Sequence, residues 1–509
     1  MKFNFYHRKN AETLNHEGAK AFRLTPEMEL YSAVATTMLS DISYEKADDR
    51  LVRIKALVAK VNPAFAAKLA VYVREQMYLR TAPLVLVNEL AKIHNGDDLV
   101  SKTVTKVVQR PDEITELLAY YQVHNQRQGT KKLNRLSKQV QKGLASAFNK
   151  FDEYQFAKYD RAAQVKLRDA LFLVHPKAKN EAQQTLFNKI VNDRLDVPYT
   201  WETELSSLGQ TQFATVALKA AAQKAKWEEL IDSGKIGYMA TLRNLRNMLE
   251  ANVSAAHIEK VCAYLSNEKA VQKAKQLPFR FLAAYRELKE LPSGYVPMLL
   301  DALEAALKAS AVNLRGFDSA TRVVIACDVS GSMQKAVSVK SKVMLYDIGL
   351  LMGMLLQSKC KNVISGMFGD TWKTVALPGR AILANVDAFY RREGEVGYAT
   401  NGYKVLQDLI ARRYIADKIM LFTDTQLWDS TSHQQSKANT LNTQWKIYKQ
   451  IAPDAKLYLF DLAGYGQAPL RVETNDVFLI AGWSDKIFDV LQALEDGHNA
   501  LEKVMKIDL

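Results

Sequence analysis

Two apolar runs in the last third of the chain end abruptly in aspartate, and this feature most narrows the folds available. Arg322-Val323-Val324-Ile325-Ala326-Cys327 leads into Asp328-Val329-Ser330-Gly331-Ser332, and Lys418-Ile419-Met420-Leu421-Phe422-Thr423 leads into Asp424-Thr425. Runs of this length, rich in branched residues, read as buried strands that empty into loops. Between them lies Gly397-Tyr398-Ala399-Thr400-Asn401-Gly402, a glycine-bounded loop before a helical pattern. Further strand candidates are Asn362–Phe368, Lys373–Leu377, Ala455–Phe460 and Asp476–Ile480. Helix candidates are Ser341–Ser358, Ile382–Arg391, Gly402–Arg413, Gln435–Ile451 and Asp485–Leu494. This alternation predicts a doubly wound α/β domain, whose sites lie in loops at the carboxyl ends of its strands. Asp328 and Asp424 both fall there, and Asp328, Ser330 and Ser332 bring a carboxylate and two hydroxyls to one point. They are hard oxygen donors and suit Mg²⁺ or Mn²⁺.

The three loops together resemble the metal-ion-dependent adhesion site of the von Willebrand factor A (vWA) family. The resemblance implies that the Ser330, Ser332 and Thr400 hydroxyls ligate the ion directly. It implies that one or both of Asp328 and Asp424 act directly or through water, and that a partner's carboxylate can complete the shell. Thr425 departs from the pattern, standing where many members carry glycine.

From about residue 25 to 310 the pattern is helical almost throughout, as in Leu51–Val61, Pro63–Tyr78, Ala82–Ile93 and Leu167–Val174. Short breaks at proline and glycine suggest stacked antiparallel helix pairs, as in an α-solenoid, without a strict repeat. The texture changes near Ser310–Ser319, which predicts a helical domain over 1–316 and an α/β domain over 317–509.

Charge is distributed unevenly between these parts. Residues 1–320 carry 47 Lys and Arg against 35 Asp and Glu, whereas residues 321–509 carry 22 against 20. A concentrated basic excess points to a polyanion such as RNA, or to a surface biased for solubility. Within it, Gln126–Lys150 contains no acid. Lys131, Arg135, Lys138 and Lys142 share one helical face, with Lys132 beside them and Leu133, Leu136, Val140 and Leu144 opposite. Like charges at this spacing oppose helix formation unless an anion relieves them. Lys158, Arg161 and His175 extend the basic tract among Tyr154, Phe156, Tyr159 and Phe172. Phe156 and Phe172 are expected in the core, and cations among the remaining aromatics suit single-stranded RNA.

Cys262, Cys327 and Cys360 form no paired framework, the N-terminus lacks a signal-peptide apolar core, and no apolar stretch reaches membrane-spanning length. The expectation is a cytoplasmic protein with no membrane association.

Several local sequences resemble the TROVE module: Asn15–Phe22, Phe65–Lys92, Thr200-Trp201-Glu202, Leu242–Met248 and Leu277–Leu282. Followed by a vWA-like domain, they make the whole architecture resemble that of the Ro autoantigen family, in its bacterial form. The resemblance implies a monomeric ring of HEAT-like helical repeats closed by the vWA domain. It implies binding of Y-like non-coding RNA on the basic surface and of single-stranded RNA 3′ ends in the central hole. It also implies an exoribonuclease partner, such as polynucleotide phosphorylase, tethered through the RNA. Lys158 and His175 match the family's RNA-contacting stretch. Arg243 and Arg246, three residues apart on a predicted helix, line the hole or pair with acids on a neighbouring helix. The leading expectation is a non-catalytic RNA scaffold. The alternative is a vWA adaptor or co-chaperone of an AAA+ ATPase. A metal-dependent nuclease is disfavoured, because phosphoryl transfer at a two-metal centre needs a carboxylate-rich cluster.

Overall fold

The computed structural model describes residues 12–36, 46–124, 136–160, 163–310, 320–337, 341–378, 381–428, 438–472, 476–482 and 500–509. The chain forms two units. One comprises Val61–Gln276, Arg286–Ala306 and Ile507–Leu509; the other comprises Met1–Lys60, Leu277–Tyr285 and Leu307–Lys506. A single cut after residue 316 therefore does not describe the division. The N-terminal segment belongs with the α/β unit because it pairs with it. Phe22 is in register with Ala468, the Tyr31 hydroxyl donates to the Ala481 carbonyl at 3.2 Å, and the Arg50 guanidinium donates to the Ala463 carbonyl.

The first unit is helical. Its helices include Pro63–Glu75, Thr81–Ile93, Leu99–Val107, Pro111–His124, Lys138–Phe148, Glu153–Tyr159, Leu167–Val174, Trp201–Gln210, Val216–Asp232 and Tyr238–Glu250. Local chemistry sets their ends. Pro63 opens its helix, where a missing N–H costs nothing, and the Asn62 side chain accepts the Ala64 N–H at 2.8 Å. His175 and Lys275 end their helices in the left-handed conformation, at φ 50° and 49°. Helix Lys138–Phe148 packs closely on Leu99–Val107. A Cβ at Gly143 would lie 2.5 Å from Val104 Cβ and 2.7 Å from the Ser101 carbonyl oxygen, so only glycine permits that approach. No helix among the described residues is long and apolar enough to cross a membrane.

The second unit is built on a six-stranded sheet in the order Trp372–Thr374, Asn362–Phe368, Arg322–Asp328, Lys418–Thr423, Lys456–Asp461, Val477–Ala481. The first of these is an antiparallel edge and the rest are parallel. Side chains alternate between two faces. Val324 and Ala326 share a core with Val405, Leu409, Leu441 and Trp445, from helices Tyr403–Ala411 and Leu441–Ile451. Ile325 and Cys327 face helix Leu345–Lys359, where Gly353 lets the backbone come close. These elements match the expected ones to within a residue or two at most ends. Lys373–Leu377 shrinks to a three-residue edge strand, and Asp485–Leu494 lies outside the described residues. A three-stranded sheet was not expected: Glu12–Leu14, Lys20–Arg23 and Gln467–Ala468, all antiparallel.

Arg322–Asp328 has its sequential neighbour Asn362–Phe368 on one side and Lys418–Thr423 on the other. The strand order reverses between Arg322–Asp328 and Lys418–Thr423. In open parallel sheets that crevice is where sites form, and both aspartate-ended runs empty into it.

Candidate functional site

Backbone hydrogen bonds gather the three expected loops. The Gly331 N–H donates to the Tyr398 carbonyl at 3.0 Å, and the Trp428 N–H donates to the Thr400 carbonyl at 3.3 Å. The first loop thus meets the second, and the second meets the third. The glycines of the second loop are needed there. Gly397 has φ 72° and a Cβ on it would clash with the Asp370 carboxylate, and a Cβ on Gly402 would lie 2.9 Å from Leu427 Cδ1.

Within this frame Asp328, Ser330, Thr400 and Asp424 are buried, and Ser332 is partly exposed. The Ser330 and Ser332 hydroxyls are 3.3 Å apart. Both Asp328 oxygens are occupied: Oδ1 accepts the Ser330 N–H at 2.9 Å, and Oδ2 accepts the Thr423 hydroxyl at 2.6 Å. Thr400 Oγ1 accepts the Trp428 N–H at 3.2 Å. Asp424 differs. Its Oδ1 accepts the Gln426 N–H at 3.0 Å, but its Oδ2 is buried and accepts no hydrogen bond.

Asp461, at the end of the next strand, shows what a purely structural aspartate looks like here. Its Oδ1 accepts the Ala463 and Gly464 N–H groups, at 3.0 and 2.7 Å, and its Oδ2 accepts the Ser32 hydroxyl. An orphaned carboxylate oxygen costs free energy unless something positive meets it. Burial pushes both Asp328 and Asp424 above the usual carboxylate range, and the Asp328 charge raises Asp424 further. The Gln426 amide and Ser332 hydroxyl favour the charged form of Asp424 without outweighing burial. A hard divalent cation among these oxygens would reverse that balance. The residues fit such an ion: two close carboxylates, one with an unused oxygen, and three hydroxyls. The described residues contain no cluster of three or more His, Cys, Asp and Glu placed to hold a metal. An ion here therefore depends on the hydroxyls.

Thr425, in the position expected to favour glycine, takes the left-handed conformation at φ 67°. Its hydroxyl lies 2.6 Å from the Asp424 carbonyl oxygen and 3.0 Å from that of Gln467. Those contacts hold a branched residue where it is normally strained. Sequence reasoning missed Thr423 and Gln426, which fix the two carboxylates. Both lie within two residues of Asp424 in the same run, and that proximity was the available signal.

In the helical unit the expected basic residues separate. Lys131, Lys132, Arg135 and Arg161 lie outside the described residues. Lys138 and Lys142 are exposed one turn apart on a helix whose opposite face, Val140, Leu144 and Ala147, is buried. Lys158 Nζ lies 5.6 Å from the Tyr154 ring centre and 5.7 Å from that of Tyr159, over which the Arg110 guanidinium also lies, at 4.0 Å. His175 is an exposed helix end. Arg246 pairs with Glu250 at 2.7 Å and with Glu287 at 2.6 Å, so its charge is compensated. Arg243 instead lines a cavity of about 580 Å³ with Lys158, Asp160, Thr200, Trp201 and Glu202. Trp201 stands in a TROVE-like motif, but nothing in its local sequence marks it as a binding residue. Phe156 is fully buried as expected, but Phe172 is 54% exposed. The buried face of helix Leu167–Val174 is Leu167, Ala170 and Val174, and Phe172 lies off that stripe.

The TROVE domain family matches residues 19–212 and 192–294. Telomerase protein component 1 of Mus musculus is 25% identical over 337 residues, covering 52% of this chain and 13% of that protein. The Rattus norvegicus protein is 25% identical over 349 residues, again 52% and 13%. The match thus spans a small part of the length of these relatives. The crystal structure of the Deinococcus radiodurans RO (RSR) protein superposes with a TM-score of 0.59 at 18% identity, covering 93% of this chain and 100% of that one. That likeness is one of fold, and it extends over both the helical and the α/β parts. With the family matched across more than half of its length, the chain belongs to the TROVE domain family.

Proposed function

We propose that the protein is a non-catalytic RNA-binding scaffold of the Ro type. It binds Y-like non-coding RNA through its basic helical surface and holds single-stranded 3′ ends of structured or misfolded RNAs for a separate exoribonuclease. The observation that carries this reading is the cavity lined by Lys158, Arg243 and Trp201, with the Tyr154 and Tyr159 rings near Lys158. Cations attract phosphates and aromatic faces stack on bases, a pairing suited to single-stranded RNA. TROVE membership and the exposed Lys138–Lys142 face support it. In the α/β unit, one Mg²⁺ or Mn²⁺ is held by Ser330, Ser332 and Thr400, with Asp328 and Asp424 as its anionic partners. Its role is to order the loops rather than to activate water. Three buried free thiols accord with a reducing, cytoplasmic setting.

The test is binding of a structured RNA over a range of salt concentrations. Affinity is expected to fall steeply with salt. Changing Lys138 and Lys142 to Gln should flatten the log K against log salt slope by up to about one unit for each phosphate no longer neutralised. An unchanged slope in the folded variant would assign this face to solubility.

A further inference from the structure

The third ion loop is held from outside by the N-terminal hairpin. Glu12–Leu14 and Lys20–Arg23 pair with each other, and Lys20–Arg23 pairs with Gln467–Ala468. The hairpin turn is closed on Asn15, whose N–H donates to the Ala19 carbonyl at 2.8 Å and whose Oδ1 accepts the Ala19 N–H at 2.7 Å. Asn15 Nδ2 then donates to the Leu427 carbonyl at 3.0 Å, and the His16 N–H donates to Gln426 Oε1 at 2.8 Å. The Gln426 N–H is the donor to Asp424 Oδ1. One residue therefore ties the hairpin to the carboxylate with the unused oxygen. The strained Thr425 adds a second tie, because its hydroxyl reaches the Gln467 carbonyl and Gln467 is in register with Arg23. Asn15 is 7% exposed and Gln426 fully buried, so water does not readily replace these bonds.

We propose that docking of the N-terminal hairpin and occupancy of the ion site are thermodynamically linked, with Asn15 and Gln426 as positioning residues for Asp424. This rests on the ion reading above. Linkage is reciprocal: if the hairpin helps to build the site, the ion must hold the hairpin down by the same factor. Neither residue ligates the ion. Gln426→Ala leaves its backbone N–H on Asp424 Oδ1 and removes the tie to His16 together with the Nε2 donation to the Asp424 carbonyl, while Asn15→Ala removes the tie to Leu427 and the side-chain acceptor for the Ala19 N–H.

The experiment uses the full chain and Mn²⁺. Calorimetry gives the ion affinity, and hydrogen exchange gives the protection of amides in residues 12–23 with and without the ion. In the wild type, Mn²⁺ is expected to slow exchange of the hairpin amides about tenfold, and Asn15→Ala and Gln426→Ala to bind Mn²⁺ about 5- to 50-fold more weakly, within the usual range of coupling energies. In the variants the hairpin amides should no longer respond to Mn²⁺. A merely structural role would leave the Mn²⁺ response of the hairpin intact. Wild-type Mn²⁺ binding with unresponsive hairpin amides, or unchanged affinity in both folded variants, would overturn the linkage alone. Failure of the wild type to bind Mn²⁺ would overturn the ion reading, and the linkage with it.

Discussion

Glu113→Ala is expected to destabilise the helical unit by about 3–5 kcal/mol, the usual consequence of stripping one partner from a buried ion pair. The Glu113 side chain is fully buried at the start of helix Pro111–His124. Its Oε1 takes the Arg74 guanidinium at 2.7 Å, and its Oε2 takes the Gln109 and Arg110 N–H groups at 2.7 and 3.1 Å. Arg74 also donates to the Val107 carbonyl at 3.1 Å, so three helices meet on this pair. The substitution leaves a buried cation and two backbone donors unmatched. Glu113→Gln keeps an acceptor for the N–H groups and should lose less. Urea denaturation, with hydrogen exchange reporting on Pro63–Glu75 and Pro111–His124, measures both. Near-equal stability of the Ala variant and the wild type would contradict the packing described.

Asp424→Asn should act in two opposite directions. Divalent-ion affinity should fall by more than about a hundredfold, beyond what losing an outer-shell partner costs. Above the raised pKa of Asp424, by contrast, the ion-free protein should become more stable, because the substitution removes a buried charge with an unmatched oxygen. The sign follows from the raised pKa of Asp424. The folded state holds the proton more tightly than the unfolded chain, so ion-free stability falls as pH rises from the ordinary carboxylate range to the raised pKa, then levels off. Melting curves with and without Mn²⁺, across that pH range, separate the two effects. A variant that keeps the Mn²⁺-dependent shift in Tm would refute the role given to Asp424.

Much of the α/β unit was legible because its signals are local. Asn362–Phe368 and the run ending at Asp424 are apolar strands bounded by polar loops, and their bounds follow from their own residues. The nearness of Asp328, Ser330 and Ser332, on which the proposed ion site rests, was legible for the same reason: they are neighbours in sequence. What escaped depends on distant partners. The hairpin strands are three and four residues long and too short to carry a period. Lys20–Arg23 is completed by Gln467–Ala468, some four hundred residues away along the chain. The pairing of Arg246 with Glu250 was readable from spacing, but that with Glu287 was not. Residue type alone puts Phe172 in the core, whereas the spacing of Leu167, Ala170 and Val174 excludes it.

The left-handed Thr425 shows how context overrides a local rule. Glycine is the expected residue at φ 67°, and threonine serves because its hydroxyl has two carbonyl oxygens within reach. Thr425→Gly would relax the backbone and remove the tether together.

The central claim is that the helical unit receives single-stranded RNA ends. Competition between one RNA hairpin carrying a short single-stranded 3′ tail and the same hairpin made blunt tests it most directly. The tailed RNA should bind at least about fivefold more tightly, since stacking of even one base contributes about 1–3 kcal/mol. Lys158→Gln and Arg243→Gln should erase that preference while leaving the blunt hairpin's affinity largely in place. Equal affinity of the wild type for tailed and blunt RNA, or cleavage of either by the protein free of other nucleases, would contradict the account.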